Sequence, residues 1–203
     1  MKVVCVGRNY AKHARELKNS VPDEPILFIK PDSSILQKRN AFYIPPFSND
    51  VHHEIELVVR INKMAKHVQK KFAHKYYDEI GLGIDFTARD LQTELKDKGL
   101  PWEKAKSFDG ACVVGNFVRK SLFQNVQDVK FKLEKNGQAV QMGSSGDMIF
   151  DIDTLISVIS RYFTLKIGDL IFTGTPEGVG PVKAGDKLVG FLEGEKNFSV
   201  NIK

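Results

Sequence analysis

Two glutamates one residue apart, Glu54 and Glu56, stand in the run His-His-Glu-Ile-Glu-Leu-Val-Val-Arg-Ile over 52–61. On a strand, side chains two positions apart share a face, so both carboxylates would project together. Neighbouring carboxylates repel unless positive charge lies between them. A hard divalent cation meets that need, because Mg²⁺ and Mn²⁺ take oxygen ligands. A solvated strand face would produce the same pattern. A third carboxylate, Asp85, lies in Gly-Leu-Gly-Ile-Asp-Phe-Thr, between the apolar Ile84 and Phe86. Burying it there is costly unless it is paired or bound to metal. It could instead cap the helix that follows, and Asp90 inside that helix competes for the ligand role. Three carboxylates would leave roughly three octahedral positions for substrate and water.

Three further segments carry residues of chemical interest. In Gly7-Arg8-Asn9-Tyr10-Ala11-Lys12-His13-Ala14-Arg15-Glu16, His13 and Glu16 are three apart and share a helical face. A carboxylate beside an imidazole fixes its tautomer and raises its basicity, which suits a general base. An incidental surface pair has the same spacing. Lys106 lies close to Trp102 and Phe108 in Lys-Gly-Leu-Pro-Trp-Glu-Lys-Ala-Lys-Ser-Phe-Asp. It could clamp a substrate carboxylate or simply face solvent. Thr173-Gly-Thr-Pro-Glu-Gly-Val-Gly-Pro181 offers the hydroxyls of Thr173 and Thr175, with glycines that allow close backbone approach. Without a lysine in a phosphate-loop position, this turn argues against nucleotide binding.

The elements that must position these residues read mainly as strands. Val3, Val4 and Val6 open the chain, and a short helix is predicted from about Asn9 to Leu17, broken at Asn19 to Pro22. Strands are predicted at 26–29, 41–44, 54–61 and 81–87, and helix-compatible stretches at 68–79 and 88–98. Asn136-Gly137 between alternating runs signals a β-hairpin over 131–142. Residues 151–163 combine acidic capping residues with a helical apolar face. The last forty residues read as all-β, with turns at Gly168-Asp169 and Gly185-Asp186. No βαβ alternation, repeat or linker is visible, so one mixed-β domain over 1–203 is expected.

At 203 residues, 42% hydrophobic and 27% charged, the chain can bury a real core. Cys5 and Cys112 lie far apart and form neither a metal motif nor a disulfide framework, which points to a reducing, cytoplasmic setting. No run is long enough to span a membrane. A net charge of +5 permits nucleic-acid binding. However, the cluster Lys63, Lys66, Lys70, Lys71 and Lys75 lacks interleaved stacking aromatics, so a solvated face is expected. Positive charge would also attract a small anionic substrate.

Taken in order, GRNYAKHARE, FIKP, HHEIELVVRI, GIDFTARDLQ, KGLPWEKAKSFD and FTGTPEGVGPV resemble the fumarylacetoacetate hydrolase family, in particular its short acylpyruvate hydrolase and oxaloacetate decarboxylase members. The resemblance implies a mixed β-sandwich or roll, with a few short helices and a dimeric assembly. It implies Mg²⁺, or Mn²⁺, on Glu54, Glu56 and Asp85, and a water-activating dyad of His13 and Glu16 on a lid segment. It also implies a catalytic Lys106 and substrate contacts from Arg8, Asn9, Tyr10, Gln92 and Thr175. The expected reaction is C–C bond cleavage of a small 2-oxo acid through a metal-stabilised pyruvate enolate. The other readings are isomerisation or decarboxylation of unsaturated homoprotocatechuate-pathway diacids, a non-catalytic metal-binding β module, and a nucleic-acid binder. The loop 143–147 is the main departure from relatives and bears on substrate choice.

Overall fold

Runs rich in Val, Ile and Leu pair into three sheets. The computed structural model describes residues 1–16 and 20–203. The predicted helix end at Leu17 and the break at Asn19 lie outside the described residues. The largest sheet has seven strands. Its main path runs Ile26–Lys30, Val3–Gly7, Leu170–Phe172, Ile55–Ile61, Tyr77–Asp85 and Cys112–Val114, with Val118–Arg119 also paired to Tyr77–Asp85. A four-stranded sheet follows the order Gln138–Ser144, Lys130–Lys135, Lys187–Leu192 and Glu195–Asn201. A small third sheet joins Gly180–Pro181, Val51–His53 and Thr87–Ala88.

One face of the large sheet packs on the four-stranded sheet. Ile55, Leu57, Val59 and Ile61 meet Phe131, Leu133, Leu188 and Leu192 in the main core. The helix Ile152–Tyr162 closes that core with Leu155, Ile156 and Ile159. Its first turn is capped by Asp151, whose carboxylate accepts from the Thr154 N–H at 2.7 Å. The architecture is the expected mixed β-sandwich with few and short helices.

Alternation in 54–61 correctly separates the two faces of that strand. It does not show that both are covered, because the strand sits mid-sheet between Leu170–Phe172 and Tyr77–Asp85. On the second face Val58 packs with Val3, Cys5, Cys112, Leu170 and Phe172, and Glu56 is buried there too. The hairpin is built as predicted, with Asn136 at φ 55° and Gly137 at φ 81°, the left-handed pair of a type I′ turn. The strand expected at 41–44 reduces to a bridge from Phe42 to Ile202. The stretch 68–79 yields only the helix Lys70–Ala73 before the chain enters Tyr77–Asp85.

Candidate active site

Sheet register assembles the carboxylates. Ile55 pairs with Ile84 and Glu56 with Gly83, so Glu54 falls beside Asp85, whose N–H donates to the Glu54 carbonyl at 2.9 Å. Gly83 is required at its place, since a Cβ there would lie 2.6 Å from the Phe172 ring and from the Val113 carbonyl oxygen. One oxygen from each of Glu54, Glu56 and Asp85 can be chosen so that all lie within 4.8 Å of one another. All three residues are at most 5% exposed, so their charge must be met inside the protein.

Three cations meet it. Lys106 Nζ donates to Glu54 Oε2 at 2.8 Å, Asp85 Oδ2 at 2.8 Å and Thr87 Oγ1 at 2.6 Å. That uses all three of its hydrogens. Lys30, fully buried, lies 2.7 Å from Asp85 Oδ1. Arg89 pairs with Glu54 through one nitrogen and donates to Gln92 Oε1 at 2.7 Å through another. Burial opposes ionisation of Glu54, but Lys106 and Arg89 outweigh it and hold the carboxyl well below the usual range. Burial, Asp85 and Glu54 push the Glu56 carboxyl well above it, although the Gly174 N–H donates to its Oε2 at 2.6 Å. For Lys106, burial disfavours the charged form, yet Asp85 and Glu54 raise its pKa.

This donor set fits a hard divalent cation. It offers carboxylate oxygens only. Asp85 Oδ1 completes no hydrogen bond despite Lys30 beside it. Glu56 carries the like-charge repulsion that a bound cation would relieve.

Around this centre lies a cavity of about 40 Å³, space for a few waters. His13, 4% exposed, faces it from the helix Ala11–Glu16. Its Nδ1 lies 3.2 Å from Glu16 Oε2, and Glu16 Oε1 accepts from the Gly178 N–H at 3.0 Å. The structure thus brings His13 and Glu16 together, and the turn at 173–181 holds the carboxylate. Thr175 lines the cavity, and its Oγ1 accepts from Gln141 Nε2 at 2.9 Å. Gln92 and Arg8 line it as well.

Asn9 and Tyr10 are not cavity walls. Asn9 pins the entry segment, donating to the Phe150 and Thr173 carbonyls at 3.0 and 2.8 Å and accepting from the Phe150 N–H. Gly174 makes room for it: at φ 101°, a Cβ there would lie 2.7 Å from Asn9 Cβ. Tyr10 is 2% exposed and packs edge-on against Phe131, with a hydroxyl that has no hydrogen-bond partner.

Sequence reasoning missed Lys30, Arg89, Lys96 and Gln141. A lysine ending an apolar strand before Pro31 was the available signal for Lys30. Arg89 and Lys96 lie one turn from Gln92 on the predicted helix and share its cavity. Gln141 is the one buried residue of its strand, turned inward by a register shift between Ala139 and Gln141 that no pattern announces. It accepts from the Ile55 N–H at 3.1 Å and contacts His53 Nδ1 at 2.9 Å.

The fumarylacetoacetate (FAA) hydrolase C-terminal family pattern matches residues 2–198. The oxaloacetate tautomerase of Escherichia coli strain K12 is 43% identical over 194 residues, which cover 95% of this chain and 89% of that protein. The mitochondrial oxaloacetate decarboxylase of Dictyostelium discoideum is 45% identical over 188 residues, covering 92% of this chain and 86% of that one. Among solved structures, the fumarylpyruvate hydrolase of Pseudomonas aeruginosa, in complex with Mn²⁺ and pyruvate, superposes with a TM-score of 0.93. It is 34% identical, and the match covers all of this chain and 89% of that one.

Proposed function

The chain belongs to the fumarylacetoacetate hydrolase C-terminal family, and on that premise we propose that it is an enzyme of enol and enolate chemistry on small 2-oxo acids. Oxaloacetate is the first candidate substrate. The observation that carries the reading is one cavity onto which the buried carboxylate triad, Lys106 and His13 all open. Tautomerisation, decarboxylation and acylpyruvate hydrolysis share one demand, the stabilisation of an enolate. The relatives that tautomerise or decarboxylate oxaloacetate by name, and the fumarylpyruvate hydrolase, support a common centre with different outcomes.

Glu54, Glu56 and Asp85 would hold Mg²⁺ or Mn²⁺, and the bound ion would supply Lewis-acid stabilisation of negative charge on the 2-oxo oxygen. Lys30, Lys106 and Arg89 hold Glu54 and Asp85 in place, and the bound cation would favour ionisation of Glu56. Lys106 reaches a substrate carboxylate by exchanging one of its three present partners. Glu16 accepts from His13 Nδ1 and so leaves Nε2 as the basic nitrogen. In tautomerisation His13 takes the C3 proton, the C3–H electron pair becomes the C2–C3 double bond, the C2=O π pair moves onto the oxygen, and the protonated imidazole gives up its proton as the oxygen takes one from it or from water. In acylpyruvate hydrolysis, the second reading, the same nitrogen takes a proton from the water that attacks the distal carbonyl. The dyad geometry and the fumarylpyruvate hydrolase likeness favour that second activity. Decarboxylation of oxaloacetate needs neither proton transfer to His13 nor an attacking water.

We place the enzyme in a reducing compartment, the cytoplasm, on the strength of two buried free cysteines. No described helix is long and apolar enough to cross a membrane. We also propose a homodimer through the second face of the large sheet, where a groove is lined by Ile35, Leu36, Val114, Phe117 and Leu170. Sedimentation at micromolar concentration checks that assembly.

The functional test uses protein stripped with a chelator and reloaded with Mg²⁺ or Mn²⁺. Enol-oxaloacetate conversion, pyruvate release from oxaloacetate and acylpyruvate hydrolysis are followed in parallel. Metal-dependent turnover of at least one is expected. Failure of the reloaded enzyme on all three overturns the proposal.

A further inference from the structure

With Glu56 ionised, as a bound cation would favour, the inner centre is balanced in charge. Lys30, Lys106 and Arg89 pair with Glu54 and Asp85, so that three cations stand against three carboxylates. Two more cations line the same cavity, Arg8 and Lys96. Among the described residues, neither side chain pairs with a carboxylate or donates a hydrogen bond. Lys96 Nζ lies 5.4 Å from the centre of the Trp102 ring, and Glu54 acts on it without pairing. Arg8 holds φ 58°, an uncommon conformation for a residue with a Cβ. Such backbone tension gathers at ligand clamps. Both residues are half-buried, so solvent screens their mutual repulsion only in part. Burial, together with Arg8 and Arg89, brings Lys96 down to about 8. Cations held at a cavity wall without a paired carboxylate form an anion site.

We infer that Arg8 and Lys96 form a subsite for the second carboxylate of a dicarboxylic 2-oxo acid, and thereby select diacids over monoacids. The inference rests on the proposed 2-oxo acid chemistry and deepens it. A divalent cation on the triad would add two positive charges to a balanced centre. A doubly negative substrate answers both that charge and the rim cations, whereas a monoacid leaves Arg8 and Lys96 unanswered. Trp102 sets the side of the subsite, and the half-exposed Lys96 can shift to widen a cavity now too small for a four-carbon acid.

The test compares the Mg²⁺-loaded full chain with its Lys96→Met and Lys96→Arg variants. Oxaloacetate is set against 2-oxobutanoate, which replaces the second carboxylate with a methyl group. C3–H exchange in heavy water reads the same proton transfer on both. Malonate and propanoate, which do not turn over, are titrated by calorimetry as a binding pair. Lys96→Met is expected to raise KM for oxaloacetate about tenfold or more, the loss of a charged hydrogen bond. KM for 2-oxobutanoate should stay within about twofold, and the malonate preference should collapse likewise. Lys96→Arg should restore most of the preference, which a merely structural role would not do. Equal loss on diacid and monoacid, an unchanged oxaloacetate KM, or no malonate preference in the wild type overturns the subsite. If the wild type turns over neither acid yet prefers malonate in a Lys96-dependent way, the catalytic reading falls and the subsite stands.

Discussion

The carboxylate centre and its rim obey different construction rules. Glu54, Glu56 and Asp85 come from adjoining strands in the middle of a sheet and are nearly inaccessible; Lys30, Lys106 and Arg89 pair with Glu54 and Asp85, and the Gly174 N–H donates to Glu56. Arg8 and His13 come instead from a strand end and a six-residue helix, and Lys96 from a surface helix. Their contacts are few, and two of them lack counter-charge. Register fixes the centre to fractions of an ångström, because moving it means unpairing strands. The rim side chains Arg8 and Lys96 are half-exposed and outside the strand ladder. On the proposed function, the enolate chemistry would belong to the sheet, and the choice of substrate and outcome to the rim.

The sharpest way to break this division is Asp85→Ala. It removes a proposed metal ligand and leaves Lys30 and Lys106 buried with less counter-charge. Breaking a buried pair costs about 3–5 kcal/mol, so unfolding in denaturant should shift strongly. Divalent-ion binding by calorimetry and every catalytic activity should be lost together. A variant that keeps metal affinity and stability would show that the centre is not one unit.

His13→Ala acts on the rim alone. Loss of a general base costs roughly a hundredfold to ten-thousandfold in a step that needs one. Tautomerisation and acylpyruvate hydrolysis should fall by that order, while oxaloacetate decarboxylation and metal binding persist. Glu16→Ala should follow more mildly, since the imidazole stays. Equal loss of all three activities, with metal content intact, would make His13 part of the centre rather than the rim.

Gln141 joins the two regions, accepting from the Ile55 N–H in the sheet and donating to Thr175 in the turn. Gln141→Leu would leave the Ile55 N–H and His53 Nδ1 unpaired where both are buried. That should cost about 1–3 kcal/mol of stability. It should also raise KM through a loosened Thr175 while metal affinity changes little. A drop in metal affinity equal to the rise in KM would place Gln141 with the centre.

The same division explains what the sequence made legible. Alternation and two-residue spacing marked Glu54 and Glu56, and Asp85 betrayed itself as a carboxylate among apolar residues. Caps and turns placed the helix Arg89–Asp97 within one residue and the Asn136-Gly137 hairpin within two. Strand signals are local, whereas their register is not. The approach of Lys30 to Asp85, 55 positions away in the chain, left no mark beyond a lysine ending an apolar run. Gln141 depends on a local shift in pairing, and hydrophobic patterns carry no information about such shifts. Arg8 was marked by resemblance, but Lys96 looked like any helical lysine. Its meaning lies in what is absent beside it.

The smallest expected effect is the most specific to the rim. Burial, Arg8, Arg89 and Lys106 lower Lys96 to about 8, with Glu54 acting weakly the other way. The unfolded chain holds this proton up to about 10.4. The charged form therefore disfavours folding, fully below about 8 and not at all above the unfolded value. A bound dicarboxylate reverses the bias by stabilising the ammonium. Above about 8 the free protein has lost the proton and binding must take it up, so affinity falls by at most about tenfold per pH unit. Malonate binding to the Mg²⁺-loaded enzyme should thus weaken as pH rises through that value. Other titrating groups contribute to the raw profile, and Lys96→Arg removes the lysine while keeping its charge. The wild type should lose affinity relative to Lys96→Arg between about pH 7 and about pH 9.5, with the two converging at the acid end. Parallel profiles would mean that Lys96 does not touch the anion, and that the rim selects its substrate by another group.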